Sequence, residues 1–282
     1  MTGEGGSRAP RGSRLRFDLL LLGPLAIFAA AFLLIPLVEL VLVAGTGERG
    51  ARAYIAVLTE SRYRDSLLAT LALAAVTTFA TLILGTIAAQ FLAGRYFPGR
   101  SVLVAFLTFP LAFPGVVIGF MVILIGGRLG LVGSATQALT GEKVVFAYSI
   151  VGLFVGYLYF SIPRVVLTLI AATEKLDPAL IEAARSLGAG PVTIQRDVVL
   201  PALAPALFAA GALCFATAMG AFGTAFTLAT RIDVLPMVIY TEFTLATNAS
   251  MAAALSLALG AVTWIALALA RLGSGATVAA AA

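Results

Sequence analysis

The residues of this chain whose types and spacing say most about chemistry lie between Glu182 and Pro201, EAARSLGAGPVTIQRDVVLP, a polar stretch set between two long apolar runs. Just before it, Asp177 followed by Pro178 predicts a helix start: the carboxylate caps free backbone N–H groups, and the proline ring is pre-set for a first turn. Leu180, Ala183, Ala184 and Leu187 then fall at i, i+3, i+4 and i+7 and form one apolar stripe, with Glu182 and Arg185 off it and available to a partner. Gly188 stands where the helix must stop, because glycine takes the left-handed conformation of a C-cap without penalty. Gly190 and Pro191 restart the chain into a second short helix, which leads through Val198, Val199 and Leu200 to Pro201. The result is a compact knob with a narrow apolar face, built to enter a groove. Its chemistry is mechanical coupling to another protein rather than bond making. The alternative is a plain connector whose helices only cover polar backbone. A DNA-reading helix-turn-helix fits less well, since the segment is tethered at both ends and lacks a third helix.

Other chemistries are closed off by composition. The chain has no histidine, so it offers no imidazole relay and no histidine metal site. Cys214, the only cysteine, sits in an apolar run and reads as core filler, which excludes an internal disulfide or a thiolate cluster. No G-x-x-x-x-G-K-[ST] sequence occurs; Gly141-Glu142-Lys143 is followed by Val144, so no phosphate-cradling loop forms there. The reading assigns no metal, cofactor or catalytic residue to this chain. If ATP is used, another chain must bind it.

The elements that hold the knob are membrane spans. With 61% hydrophobic and 11% charged residues, the chain has too little polar surface to coat a soluble globule. Charged residues bracket six apolar runs: Asp18 to Glu39, Asp65 to Arg95, Arg100 to Arg128, Lys143 to Arg164, Asp197 to Arg231 and Glu242 to Arg271. Each is long enough, at about 1.5 Å of rise per residue, to cross a hydrocarbon core of roughly 30 Å. The expectation is an all-α integral membrane protein with six transmembrane helices near 17–44, 66–93, 101–126, 145–172, 202–230 and 248–270. A β-barrel would instead need short alternating segments. The first run is too long for a secretory signal, although Ala29, Ala30 and Ala31 resemble a cleavage site. Arg8, Arg11, Arg14 and Arg16 make residues 1–16 a basic tail, retained on the cytoplasmic side, ahead of a membrane domain at 17–282. Six crossings then leave both termini and the 173–201 loop in the cytoplasm. Arg49, Arg52, Arg62 and Arg64 fall outside, accompanied by Glu48, Glu60 and Asp65.

Glu182, Ala183, Ala184, Gly188, Val198, Val199, Leu200 and Pro201 together resemble the EAA loop of permease subunits in ABC importers that depend on a substrate-binding protein. The resemblance covers a core of about 66–270, including Arg64-Asp65-Ser66-Leu67-Leu68-Ala69-Thr70 and the proline-broken Phe109-Pro110-Leu111-Ala112-Phe113-Pro114. It implies a type I importer permease fold in a bacterial inner membrane, with one helix preceding five core helices. It also implies two ATPase subunits carrying ATP and Mg, a second permease that is a related chain or a second copy, and an extracytoplasmic binding protein. Glu182, Ala183, Ala184, Arg185, Gly188, Val198, Leu200 and Pro201 would be the ATPase-coupling residues.

Within the spans, Pro110, Pro114 and Pro163 are expected to interrupt helices, as packing kinks or as parts of a moving gate. Gly220, Gly223 and Thr224 are expected on one face of the fifth helix, with Thr227 a turn beyond Thr224, lining the pathway. Glu39 and Arg164 are placed near the ends of their spans, where they can snorkel, and Trp264 anchors the sixth helix at an interface. Arg62, Arg64, Asp233 and Glu242 are the charges offered to a docking binding protein; the alternative is that they are solvated loop charges. Ala218-Met219-Gly220-Ala221-Phe222-Gly223-Thr224-Ala225-Phe226 looks like the polyamine, ferric-iron and phosphonate permeases, and more distantly like the sulfate and molybdate ones. A glutamate common in that oxyanion group is replaced here by Ala221, so the resemblance favours a polyamine such as spermidine or putrescine, with ferric iron and aminoethylphosphonate as alternatives. An ion-coupled secondary transporter would need a carboxylate at the midplane, and a membrane enzyme would need a catalytic constellation; neither is found.

Overall fold

A computed structural model describes residues 22–47, 49–228 and 233–274; the basic tail with its four arginines, Glu48 and Arg231 lie outside the described residues. Every regular element among them is helical. In chain order they are α1 (Leu22–Thr46), α2 (Arg52–Thr59), α3 (Ser61–Ala93), α4 (Arg100–Thr108), α5 (Gly115–Gly126), α6 (Leu131–Thr140), α7 (Ile150–Thr173), α8 (Pro178–Ser186), α9 (Pro191–Met219), α10 (Phe222–Leu228), α11 (Leu235–Thr244) and α12 (Ala249–Ser274). Six stretches are long and apolar enough to cross a membrane: α1, α3, α5 with α6, α7, α9 and α12.

Two of the expected spans are not single helices. The third, at 101–126, breaks in the middle: α4 tightens into a 3-10 turn at Phe109–Ala112, Phe113 is extended at φ −98° and ψ 133°, and α5 starts after Pro114. Proline ahead clashes with a helical Phe113, and neither Pro110 nor Pro114 can donate to the helix ladder. The fifth, at 202–230, begins earlier and stops sooner. α9 runs unbroken from Pro191, ends at Gly220, and gives way to the short α10. Conversely, Pro163 lies inside a continuous α7 and does not interrupt it. Three peripheral helices, α2, α6 and α11, were not anticipated because each is too short to show as a charge-free run.

The long helices pack around α3 and α7, which lie side by side and run in the same direction. Leu73 and Ala74 of α3 share a cluster with Leu153 and Tyr157 of α7, and Ala89 and Leu92 share one with Val165, Leu169 and Ile170. Gly85 permits this approach, since a Cβ there would sit 2.7 Å from Val165 Cγ1. Four buried clusters thus succeed one another along the bundle. The one at the far end joins Ala44, Ala53, Tyr63, Leu235 and Met251; the last, under the 173–201 loop, joins Ile194, Val199 and Leu203. Cys214 is 1% exposed among the third, as core filler. Outward faces remain apolar, with Phe28, Phe32, Phe79, Ile87, Phe120 and Leu124 all exposed, as lipid or a second subunit requires.

Candidate functional site

The coupling loop is built as its residues dictate. Asp177 accepts a hydrogen bond from Ala179 N at 2.9 Å, and Pro178 opens α8. Gly188 has φ +80°, and the helix closes there in a Schellman arrangement. In it, Gly188 N donates to Arg185 O at 2.9 Å and Ala189 N donates to Ala184 O at 3.0 Å. The anticipated apolar stripe divides in two. Ala184, with Ile181, packs inward on Ile194, Val199 and Leu203, whereas Leu180, Ala183 and Leu187 face out, Leu187 being 89% exposed. Ile181 was missed because the stripe counted from Leu180 drew attention to the outward face. Glu182, Arg185 and Gly188 are exposed beside it.

The second short helix is a correction. Residues from Pro191 run directly into the fifth span through a widened π turn at Gln195–Val199, closed by Leu200 N donating to Gln195 O. The widening falls where Pro201, lacking an N–H, cannot bond the carbonyl four residues back. Val199 makes the buried contact, Val198 is half-buried, and Leu200 and Pro201 are exposed. A further tie was not legible in sequence. Arg100 donates from Nε to Leu92 O at 2.8 Å and from Nη2 to Glu174 Oε1 at 2.7 Å, joining α3 and α4 to the end of α7 just ahead of the loop.

At the opposite end of α9 the pathway candidates are rearranged. Gly220 is exposed at the helix break, so Gly220, Gly223 and Thr224 do not share a face of one helix. Thr224 is 1% exposed, and its hydroxyl donates to Gly115 O at 3.0 Å. Thr227 donates to Gly223 O at 3.0 Å and reaches Val116 O at 3.3 Å. The Thr224 hydroxyl staples α10 to the start of α5 and is buried away from any solute, whereas Thr227 is half-buried and donates within its own helix. Glycines make room for the staple: a Cβ at Gly119 would lie 2.5 Å from Thr227 Cβ, and one at Gly156 would lie 2.8 Å from Thr224 Cγ2. Tyr157 of α7 completes the closure, its hydroxyl donating to Ala221 O at 2.9 Å. Pro110 is buried at the α4 break, and Pro114 is exposed.

The docking charges need correction too. Glu242 is 5% exposed and accepts from Arg62 Nη1 at 3.0 Å and from Tyr63 OH at 3.1 Å. A carboxylate this buried must be paired, so Glu242 does not face outward; Arg62, itself exposed, ties α3 to it. Arg49 pairs with Glu60, and Arg64 leans on its neighbour Asp65 at 3.3 Å. Arg64 and Asp233 remain exposed. Among the described residues no cluster of histidine, cysteine or carboxylate side chains suited to a metal occurs.

Known proteins share this architecture. The family described as binding-protein-dependent transport system inner membrane component matches residues 81–274. The putative 2-aminoethylphosphonate transport system permease protein PhnU of Salmonella paratyphi A is 31% identical over 249 residues, covering 86% of each chain. The sulfate transport system permease protein CysT of Salmonella typhimurium is 33% identical over 211 residues, 75% of this chain and 74% of that one. The fold matches the bacterial alginate ABC transporter solved with an alginate pentasaccharide-bound periplasmic protein, at a TM-score of 0.77 and 17% identity over 93% of this chain and 95% of that one. With the capped loop, the six apolar stretches and the proline-broken span all in place, the chain belongs to the binding-protein-dependent transport system inner membrane components: it is an ABC importer permease of the type I fold.

Proposed function

We propose that this permease forms half of the pathway for a small phosphonate- or sulfate-type anion, with 2-aminoethylphosphonate first in rank. An extracytoplasmic binding protein delivers the solute, and two ATPase subunits, which hold ATP and Mg, drive its passage. The ATPase docks on the 173–201 loop. The observation that carries this role is the outward apolar face of α8, Leu180, Ala183 and Leu187, flanked by exposed Glu182 and Arg185 and supported from beneath by Ile181 and Ala184. A second permease, related or identical, completes the pathway. The four arginines ahead of α1 support a cytoplasmic location of both termini and the loop in a bacterial cell.

The anion reading rests on the substrates named for PhnU and CysT. It displaces the polyamine suggested by the Ala218–Phe226 resemblance, which those relatives do not support. Aminoethylphosphonate ranks above sulfate because Ala221 stands where the oxyanion group commonly has a glutamate. Uptake of labelled 2-aminoethylphosphonate into proteoliposomes carrying the permease, its ATPase and its binding protein tests the proposal, with sulfate and putrescine as competitors. Putrescine uptake without uptake of either anion rejects the solute class; uptake that proceeds without the ATPase rejects the driving force.

A further inference from the structure

Arg164 does not lie near the end of its span. α7 runs Ile150–Thr173, so the Arg164 Cα is about two and a half turns, roughly 13 Å, from the loop end of the helix, in a span that crosses a core roughly 30 Å thick. A charge at that depth is expensive against lipid and faces protein or a water-filled passage. Arg49–Glu60, Arg62–Glu242, Arg64–Asp65, Arg100–Glu174 and Arg196–Asp197 form ion pairs among the described residues, and none includes Arg164. The other charge well inside a span, Glu39, is on α1, which packs against α12 and α2 rather than α7.

The side of α7 that Arg164 occupies changes its surroundings along the helix. In the far half, Val151, Val155 and Tyr159 are exposed, while the opposite side is closed by Thr224 over Gly156 and by the Tyr157–Ala221 hydrogen bond. Past Pro163 the exposure switches. Val166 and Ile170 are buried in a cluster that includes Val104 and Leu107 of α4, and Val165 and Leu169 are buried with Ala89 of α3. Arg164 is half-buried, and Thr168 and Ala171 are exposed. At about 100° per residue, Tyr157, Arg164, Thr168 and Ala171 share one stripe. The stripe that is shut at Tyr157 therefore continues, uncovered by this chain, to the loop end, where Lys175 is exposed. Ser161, a helix neighbour of Arg164, is 1% exposed with no hydrogen-bond partner for its hydroxyl. Within α7 the stripe carries one cation, Arg164, and no acid, so the field there favours an anion; Lys175 follows the helix end between Glu174, which pairs with Arg100, and Asp177.

We propose that Arg164 holds the anionic group of the solute at mid-membrane once it has passed the Tyr157–Ala221 contact. This assignment rests on the anion reading above. A single guanidinium in a wet passage attracts without trapping, because conduction needs a site weak enough to leave.

The test uses the assembled transporter in a Cys214→Ala background with labelled 2-aminoethylphosphonate and sulfate. Arg164→Gln lowers uptake about tenfold or more, the effect of losing a charge-assisted contact, while Arg164→Lys stays within about threefold of the parent. Arg164→Cys is as poor as Arg164→Gln, is protected from thiol reagents by substrate, and recovers uptake on reaction with 2-aminoethyl methanethiosulfonate but not with methyl methanethiosulfonate. Unchanged uptake by Arg164→Gln, equal recovery with the neutral reagent, or loss of the permease pair on purification of Arg164→Gln overturns the assignment. The last outcome would make Arg164 the counter-charge of a partner's acid. Anion uptake by the parent with Arg164→Gln unchanged overturns the Arg164 role alone; putrescine uptake with neither anion transported overturns the solute reading and this role together.

Discussion

Replacing Gly188 isolates the backbone contribution to the coupling loop. Its φ of +80° lies in the left-handed region, and a Cβ added there meets nothing within 4 Å. The cost of a side chain is therefore conformational rather than steric crowding by neighbours. For an ordinary L-residue that cost is roughly 1–2 kcal/mol, more for a β-branched one and less for asparagine, which tolerates this region. The chain can escape only by giving up the bonds from Gly188 N to Arg185 O and from Ala189 N to Ala184 O. A penalty of about 1.4 kcal/mol lowers the population of the capped loop about tenfold relative to uncapped forms. Uptake and ATPase co-purification should thus fall in the order Gly, Asn, Ala, Val at position 188, with membrane insertion unchanged. Measuring both across the series decides the matter. If Gly188→Val transports and holds its ATPase as the parent does, the cap has no coupling role. If Gly188→Asn fails as badly as Gly188→Val, the left-handed backbone is not what the loop requires.

Glu182 is exposed and supports no buried contact, so Glu182→Lys should abolish uptake while the purified permease melts at the parental temperature; normal uptake would remove its role in the ATPase contact. Glu242→Ala leaves the Tyr63 hydroxyl without its acceptor and should cost about 1–3 kcal/mol, seen as a lower melting temperature in detergent, whereas Arg64→Ala should shift it little because its pair with Asp65 is exposed. Thr224→Val keeps the shape but removes the bond to Gly115 O; about 0.5–1.5 kcal/mol should be lost and α10 should become more open to thiol labelling, and unchanged labelling would refute the staple. In a Cys214→Ala background, single cysteines at Ser7, Thr193 and Ser274 should resist a membrane-impermeant reagent in intact cells, and ready labelling of any one reverses the proposed orientation.

The parts of the fold that were legible are those in which local chemistry decides alone. Asp177-Pro178 and Gly188 mark the ends of α8 because capping depends on a few neighbouring backbone groups. Apolar length likewise exposes the spans. Length cannot show where a span is broken inside an apolar run, since Gly220 and Ala221 are as apolar as their surroundings and the break depends on α10 docking against α5 and α7. The burial of Glu242 against Arg62 was not legible for a similar reason. Their pairing links residues far apart in sequence, and only the fold brings α11 against α3.

The same distinction explains why the loop and the Tyr157–Ala221 contact are joined by one helix. In the sequence, Pro201 divides a short loop helix from the fifth span. In the structure, the π turn absorbs the missing proline N–H and α9 continues for 29 residues, about 43 Å at 1.5 Å per residue, from Pro191 beside the α8 cap to Met219 beside the Tyr157–Ala221 contact. A continuous helix resists bending far better than a jointed connector. Under the proposed coupling role, a partner that shifts α8 therefore acts through Ile181 and Ala184 on Ile194, Val199 and Leu203, and through α9 on the Gly220 break, without an intervening flexible segment. The widened turn at Gln195–Val199 ahead of Pro201, and Pro205 inside the helix, are the two places where α9 lacks a regular ladder bond and where this lever bends most easily.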